Sequence, residues 1–155
     1  MIRRAESKDT EKIMDLLVQV CEVHHNGRPD LFRPHGGTKY VPEQLMEMYA
    51  DDERPIFVLE EDGAVKGYAF CILEVIEGDT ARTDMRTLYI DDICVDEAAR
   101  GQHVGECLYQ YVLNYAREIG CYNVTLNVWS CNPGAMKFYE KMGLKPYKVG
   151  MEQIL

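Results

Sequence analysis

The chain has 155 residues, 46% hydrophobic and 28% charged, which fits one globular domain spanning 1–155 with a core and room for a cleft. A formal net charge of -9 argues against a nucleic-acid partner, because phosphate binding needs clustered Lys and Arg, and it favours cationic or neutral ligands. No apolar stretch follows Arg3 and Arg4, and no segment approaches the length of a membrane span, so the chain reads as cytoplasmic with no membrane partner.

Ile2 to Ala5 predicts a first strand. Ile13, Leu16, Leu17, Val20 and Cys21 then recur at helical spacing, with Asp9 or Thr10 as N-cap. From His24 to Tyr40, turn formers and the histidines His24, His25 and His35 predict a loop. Pro42 suits the first position of a short amphipathic helix through Leu45, Met48 and Tyr49.

Ile56 to Glu60 and Val65 to Val75, joined by Glu61-Asp62-Gly63, predict a hairpin. A polar linker, Glu77 to Asp84, leads to a third strand, Met85 to Val95, completing an antiparallel meander. Val104, Cys107, Leu108, Tyr111, Val112, Tyr115 and Ile119 then repeat every three or four residues until Gly120, which predicts a long helix. Tyr122 to Val128 alternates as a strand and pairs in parallel with Met85 to Val95. Pro133 to Met142 predicts a short helix, and a final strand near Val149 to Leu155 closes the chain.

The cysteines Cys21, Cys71, Cys94, Cys107, Cys121 and Cys131 include no C-x-x-C pair, so they read as reduced and mostly buried thiols. His24, His25 and His35 lack tetrahedral ligand spacing, so no metal is expected and the rim of a substrate pocket is the better reading. Phe32, Tyr40 and Tyr89 are candidate aromatic walls for an amine or, equally, core residues.

Chemistry concentrates at Arg100-Gly101-Gln102-His103-Val104-Gly105-Glu106, where a strand, a two-glycine turn and a long helix follow one another. Such a turn aims free backbone N–H groups and a helix dipole at one point, which suits an anion. A Walker loop would place Lys-Ser/Thr after its last glycine, whereas Gly105 is followed by Glu106-Cys107. A dinucleotide fingerprint would need G-x-G-x-x-G and a carboxylate about twenty residues on, and Cys121-Tyr122-Asn123 offers none.

The segment resembles the acyl-CoA pattern Gln/Arg-x-x-Gly-x-Gly/Ala of the GNAT family of N-acetyltransferases, met by Arg100 and Gly105. A second motif, N-x-x-A-x-x-F-Y-x-K-x-G, is matched by Asn132, Ala135, Phe138, Tyr139, Lys141 and Gly143. The likeness runs from end to end, and the one departure is His103 at the middle glycine. A histidine there costs little where the position is already helical, and it bears on cofactor affinity.

The resemblance implies an α/β fold of the α+β type: a mixed, mostly antiparallel central sheet, helices on both faces, and a splayed parallel strand pair holding acetyl-CoA. It implies that the backbone of Ile93, Cys94 and Val95 pairs with the pantetheine arm and stabilises the oxyanion, and that Gly101, Gln102, His103, Val104, Gly105 and Glu106 cradle the pyrophosphate. Asn132, which just before Pro133 suits the N-cap of the short helix, would by the resemblance also reach the CoA arm, and the Tyr139 hydroxyl would face the sulfur and donate to the departing thiolate. Asp91-Asp92-Ile93-Cys94-Val95 resembles the polyamine acetyltransferase branch, in which a glutamate at the Asp91 position is the proposed base, so of the candidates Asp91 and Asp92 the resemblance favours Asp91 as the base here. Strand alternation sends Asp91 and Asp92 to opposite faces, so at most one looks into the cleft.

The function implied is transfer of acetyl from acetyl-CoA to the primary amine of a small cationic acceptor, by a homodimer built on a free strand edge. A non-catalytic acyl-CoA-binding module and an acetyltransferase acting on protein amines stay open as alternatives.

Overall fold

The computed structural model describes Met1–Leu155. Its centre is one five-stranded sheet in the order β1-β2-β3-β4-β5, formed by β1 (Ile2–Arg4), β2 (Ile56–Glu61), β3 (Ala64–Ile76), β4 (Met85–Val95) and β5 (Asn123–Leu126). The first four strands are antiparallel neighbours, and β5 lies parallel to β4. The β2–β3 hairpin turns on Asp62 and Gly63, whose φ values of 52° and 74° give the primed-turn geometry that matches strand twist.

Helices cover both faces. On one side α1 (Thr10–Gly27) and α2 (Pro42–Tyr49) seal a core of Ile13, Leu16, Leu17, Leu45, Met48, Tyr68 and Phe70. On the other, α3 (Val104–Glu118) packs Val104, Leu108, Tyr109, Val112 and Ala116 onto Phe57, Ala69, Cys71, Leu88 and Ile90. The short α4 (Pro133–Lys141) stands beside α3, with Phe138 against Gly105.

Several expected boundaries move. His24 and His25 lie in the last turn of α1 rather than in the loop. Asp9 is the N-cap of α1 but caps nothing there. Its carboxylate accepts from Arg3 at 2.7 and 2.9 Å and from the Glu6 N–H at 2.8 Å, so it ties β1 to the turn before α1. Strand β5 is shorter than Tyr122 to Val128, and Tyr122 is largely exposed.

The predicted final strand near Val149 to Leu155 does not form. Its apolar side chains Val149, Met151, Ile154 and Leu155 are exposed, and the segment pairs with neither edge of the sheet, although the side of β5 away from β4 is open. The tail is held by an ion pair from Arg28 to Glu152 at 2.6 Å. The cysteines are all free, but only Cys71 and Cys94 are buried, and Cys107 is exposed, because Cys107 lies off the α3 stripe that faces the sheet.

Candidate active site

Three features of the sheet and its neighbours make the site. The first is a parting of strands. The β4–β5 ladder ends at Ile90 opposite Leu126, while β4 continues to Val95 paired only with β3, so one backbone edge of Asp91–Val95 has no strand partner. Unpaired main-chain donors and acceptors along a strand are a template for an extended ligand. Ile93 and Val95 pack on the α3 side. Cys94 sits in the α1 core, its Sγ 3.6 Å from the Leu16 carbonyl, and burial pushes its thiol up to about 12. Cys94 therefore offers the cleft its backbone and no thiolate.

The second feature is the glycine turn. Asp96 closes a short turn over Glu97–Ala99 by accepting from the Ala98 N–H at 3.1 Å. The chain then runs through extended Arg100 and left-handed Gly101 and His103, with φ of 77° and 61°, into α3. No side chain caps this helix, and the N–H groups from Gln102 to Glu106 find no acceptor within the protein. They form an anion cradle of the kind a pyrophosphate fits.

His103 is thus not helical, as the sequence reading allowed, but left-handed. That conformation costs a residue with a Cβ about 1–2 kcal/mol, and histidine is among the residues enriched there. Its imidazole is 77% exposed, with Nδ1 3.2 Å from Glu106 Oε2. Gly105 serves packing: a Cβ there would stand 3.4 Å from both the Phe138 ring and Val95. Arg100 is exposed, 3.8 Å from Glu97, and Gln102 donates to the Ala98 carbonyl at 3.4 Å.

The third feature is a β-bulge. Phe70 pairs with Asp92 and Cys71 with Ile90, so Asp91 is the extra residue of β4. Leu88 and Ile90 face α3, as do Ile93 and Val95, while Cys94 faces α1. The bulge shifts the alternation by one and turns Asp91 and Asp92 to the same, α1–α2 face. The expectation of opposite faces is corrected by this register shift.

Both carboxylates are engaged there. The Tyr40 hydroxyl donates to Asp91 Oδ2 at 2.6 Å, and Lys39 Nζ donates to Asp91 Oδ1 at 2.7 Å. The Tyr68 hydroxyl donates to Asp92 Oδ2 at 2.7 Å. Tyr40 stacks on Phe70 at 5.2 Å, and Phe70 meets Tyr68 edge-on at 4.8 Å. Burial raises the Asp92 carboxyl to about 6, opposed in part by the Tyr68 hydrogen bond.

Tyr139, on α4, is half-buried and meets Tyr109 and Phe138 edge-on. Its hydroxyl makes no hydrogen bond within the protein. Burial first, then the negative charge of Asp92, holds the phenol well above its ordinary pKa, so it stays protonated and able to donate. Asn132 Oδ1 accepts from the Ala135 N–H at 3.2 Å and caps α4, the local role its position before Pro133 predicts.

His24 meets Phe32 at a tilt of 36° with ring centroids 4.9 Å apart, and Phe32 meets Trp129 edge-on at 5.3 Å. His25 Nδ1 lies 2.7 Å from the Phe32 carbonyl. Tyr89 holds the Asn127 amide at 3.2 Å beside a polar cavity of about 120 Å³ that Glu74, Thr125 and Lys148 also line.

Sequence reasoning missed Lys39, Tyr68 and Trp129. It also missed the bulge, for which a signal exists: the apolar phase runs Leu88, Ile90 and then Ile93, Val95, a change of step at the two aspartates.

The sequence pattern described as the acetyltransferase (GNAT) family matches residues 19–144. The chain is 32% identical over 109 residues to glucosamine 6-phosphate N-acetyltransferase 1 of Oryza sativa subsp. japonica, covering 70% of this chain and 62% of that protein. It is 28% identical over 102 residues to the Arabidopsis thaliana glucosamine 6-phosphate N-acetyltransferase, covering 66% of each. The chain thus spans somewhat under two thirds of the length of these curated relatives. Among solved structures, a mutant of the BH1408 protein of Bacillus halodurans superposes with a TM-score of 0.94 at 26% identity, covering 100% of this chain and 99% of that one. An aminoglycoside N-acetyltransferase in complex with CoA shares the fold with a TM-score of 0.72 at 15% identity, covering 100% and 98%.

Proposed function

The chain belongs to the acetyltransferase (GNAT) family, and from that premise we propose that it transfers the acetyl group of acetyl-CoA to the primary amine of a small cationic acceptor. The observation that carries this reading is the meeting of an unpaired strand edge, Asp91–Val95, with an N–H cradle, Gln102–Glu106, and the free hydroxyl of Tyr139. The donor set suits CoA: an extended pantetheine arm along the open edge, a pyrophosphate on the helix terminus, and a phenol for the sulfur.

In this reading the residues divide the work. The backbone of Ile93 to Val95 and the turn from Arg100 to Glu106 hold the cofactor, with Asn132 beside its arm. Asp91 draws the acceptor's ammonium towards the parting of the strands. Asp92, with its carboxyl raised to about 6, takes the amine proton directly or through water, which moves the role of base from Asp91 to its neighbour. Backbone N–H on the open edge stabilises the oxyanion, and Tyr139 protonates the departing thiolate.

Two acidic side chains on one face and the aromatic walls Tyr40, Tyr68 and Phe70 support a cationic acceptor. The names of the rice and Arabidopsis relatives put an amino sugar beside the polyamine among acceptors to test. The edge of β5 away from β4 and the exposed apolar tail support a homodimer, and six free thiols, Cys107 among them exposed, support a reducing compartment such as the cytoplasm.

The test is release of free CoA thiol with acetyl-CoA and a panel of diamines, amino sugars and peptides, on wild type and Tyr139→Phe. Turnover that prefers small cationic amines and collapses in the variant is expected. Tight CoA binding with no turnover on any amine would establish the binding-module alternative, and preference for peptides would establish the protein-amine alternative.

A further inference from the structure

Lys39 brings a primary amine to the place where β4 and β5 part. Its Nζ donates to Asp91 Oδ1 at 2.7 Å and to the Asp91 main-chain carbonyl at 3.0 Å. Asp91 is the first residue of β4 beyond the last β5 pair, Ile90 with Leu126, and lies two residues before Ile93 on the edge assigned to the thioester.

Tyr40 fixes the approach of the chain, since its ring stacks on Phe70 and its hydroxyl holds the other Asp91 oxygen. The Lys39 side chain is 45% exposed while that of Asp91 is only 9% exposed, so the amine end of the pair stays open to solvent. Neutralising Asp91 needs only the carboxylate contact. The second contact, to the Asp91 main chain, ties the amine to β4 at the residue next to the last β5 pair. Lys39 thus stands chemically where an acceptor ammonium would stand.

We propose that Lys39 is a self-acetylation site, an inference that rests on the acetyltransferase reading above. The Lys39 ammonium gives up a proton to Asp92 or to solvent, and the Nζ lone pair attacks the thioester carbonyl carbon of acetyl-CoA. The carbon–sulfur bond breaks, and an amide forms at Nζ. Of the two protons the nitrogen loses overall, one leaves with CoA as the free thiol and one goes to solvent. No oxidant, reductant or further reactant is needed.

The experiment incubates the purified full chain with acetyl-CoA and no added acceptor, follows the intact mass, and maps acetylated peptides. One acetyl group is expected at Lys39, formed about tenfold or more faster than on Lys66, Lys145 or Lys148, suppressed by saturating amine acceptor, and slowed by Tyr139→Phe about as much as acceptor turnover is. In Lys39→Arg that acetylated peptide disappears.

Acetylation spread evenly over the lysines, or unchanged in Tyr139→Phe, is uncatalysed chemistry and overturns the proposal. Turnover of free amines with Lys39 unlabelled also overturns it and leaves the acetyltransferase reading standing. Labelling of Lys39 without turnover of any free amine upholds the proposal and limits the reading to an internal acceptor. Neither labelling nor turnover overturns both.

Discussion

The two sides of the central sheet present opposite kinds of site. On the α3 side, groups offered to a ligand are main-chain N–H donors set by a left-handed turn and an uncapped helix, with the Tyr139 hydroxyl of α4 the one side chain beside them. On the α1–α2 side they are side chains: Asp91, Asp92, Tyr40, Tyr68 and Lys39, drawn from two strands and a loop. A backbone site tolerates changes of side chain, as His103 in place of a family glycine illustrates, whereas a side-chain site depends on every partner. The difference teaches where substitutions are expected to act on cofactor affinity and where on chemistry.

Replacing Tyr139 by phenylalanine tests the one side chain on the α3 side that is assigned to chemistry. It removes the only hydroxyl assigned to the thiolate, so kcat is expected to fall about 100-fold with little change in acetyl-CoA KM. Steady-state kinetics decide it, and an equal rise in acetyl-CoA KM would move Tyr139 to the cofactor side.

Asp92→Asn separates activity from stability. In the wild type, rate should fall as pH drops through about 6, when Asp92 protonates, and the variant should lose that limb together with most of its activity. The folded carboxyl is raised above its unfolded value of 3.8. Its contribution to stability is therefore fully present below that value and lost as pH rises through about 6. The uncharged variant is then more stable at pH 7, by on the order of 1–3 kcal/mol, with the gain gone at low pH. Thermal unfolding at the two pH values checks the sign.

Weaker effects belong to the backbone side. Gly101→Ala places a Cβ at φ of 77° and should cost about 1 kcal/mol of stability and raise acetyl-CoA KM several-fold without touching kcat. Asn132→Ala removes the α4 cap and should cost about 1 kcal/mol, read by chemical denaturation. Smallest of all, His103→Gly relieves left-handed strain but loosens the unfolded chain, so stability should change by less than about 1 kcal/mol. A large rise in acetyl-CoA KM would instead show the imidazole itself donating to phosphate.

Legibility in the sequence followed the same division. The strand, turn and helix around Gly101 and Gly105 are a local pattern, since N–H direction follows from the order of elements along a few residues. Met85 to Val95, Pro42 and the Asn132 cap were readable for the same reason. The facing of Asp91 and Asp92 was not, because strict alternation assumes an unbroken ladder, and the bulge opposite Phe70 and Cys71 changes phase within a single residue.

Val149 to Leu155 shows the converse limit: a local β-like pattern does not by itself make a strand, and here it stays unpaired and exposed.

What the sequence alone determined is the cofactor half of this protein: the sheet-and-helix order, the anion cradle and the candidate phenol. All of these depend on near neighbours in the chain. Only the tertiary structure decided the side-chain cluster at the proposed acceptor site. Lys39 and Tyr40 reach Asp91 across 52 and 51 positions, and Tyr68 reaches Asp92 across 24. Hydrogen bonds of that span carry no periodicity, and they form only once the sheet has set its register and the loop between α1 and α2 has packed against it.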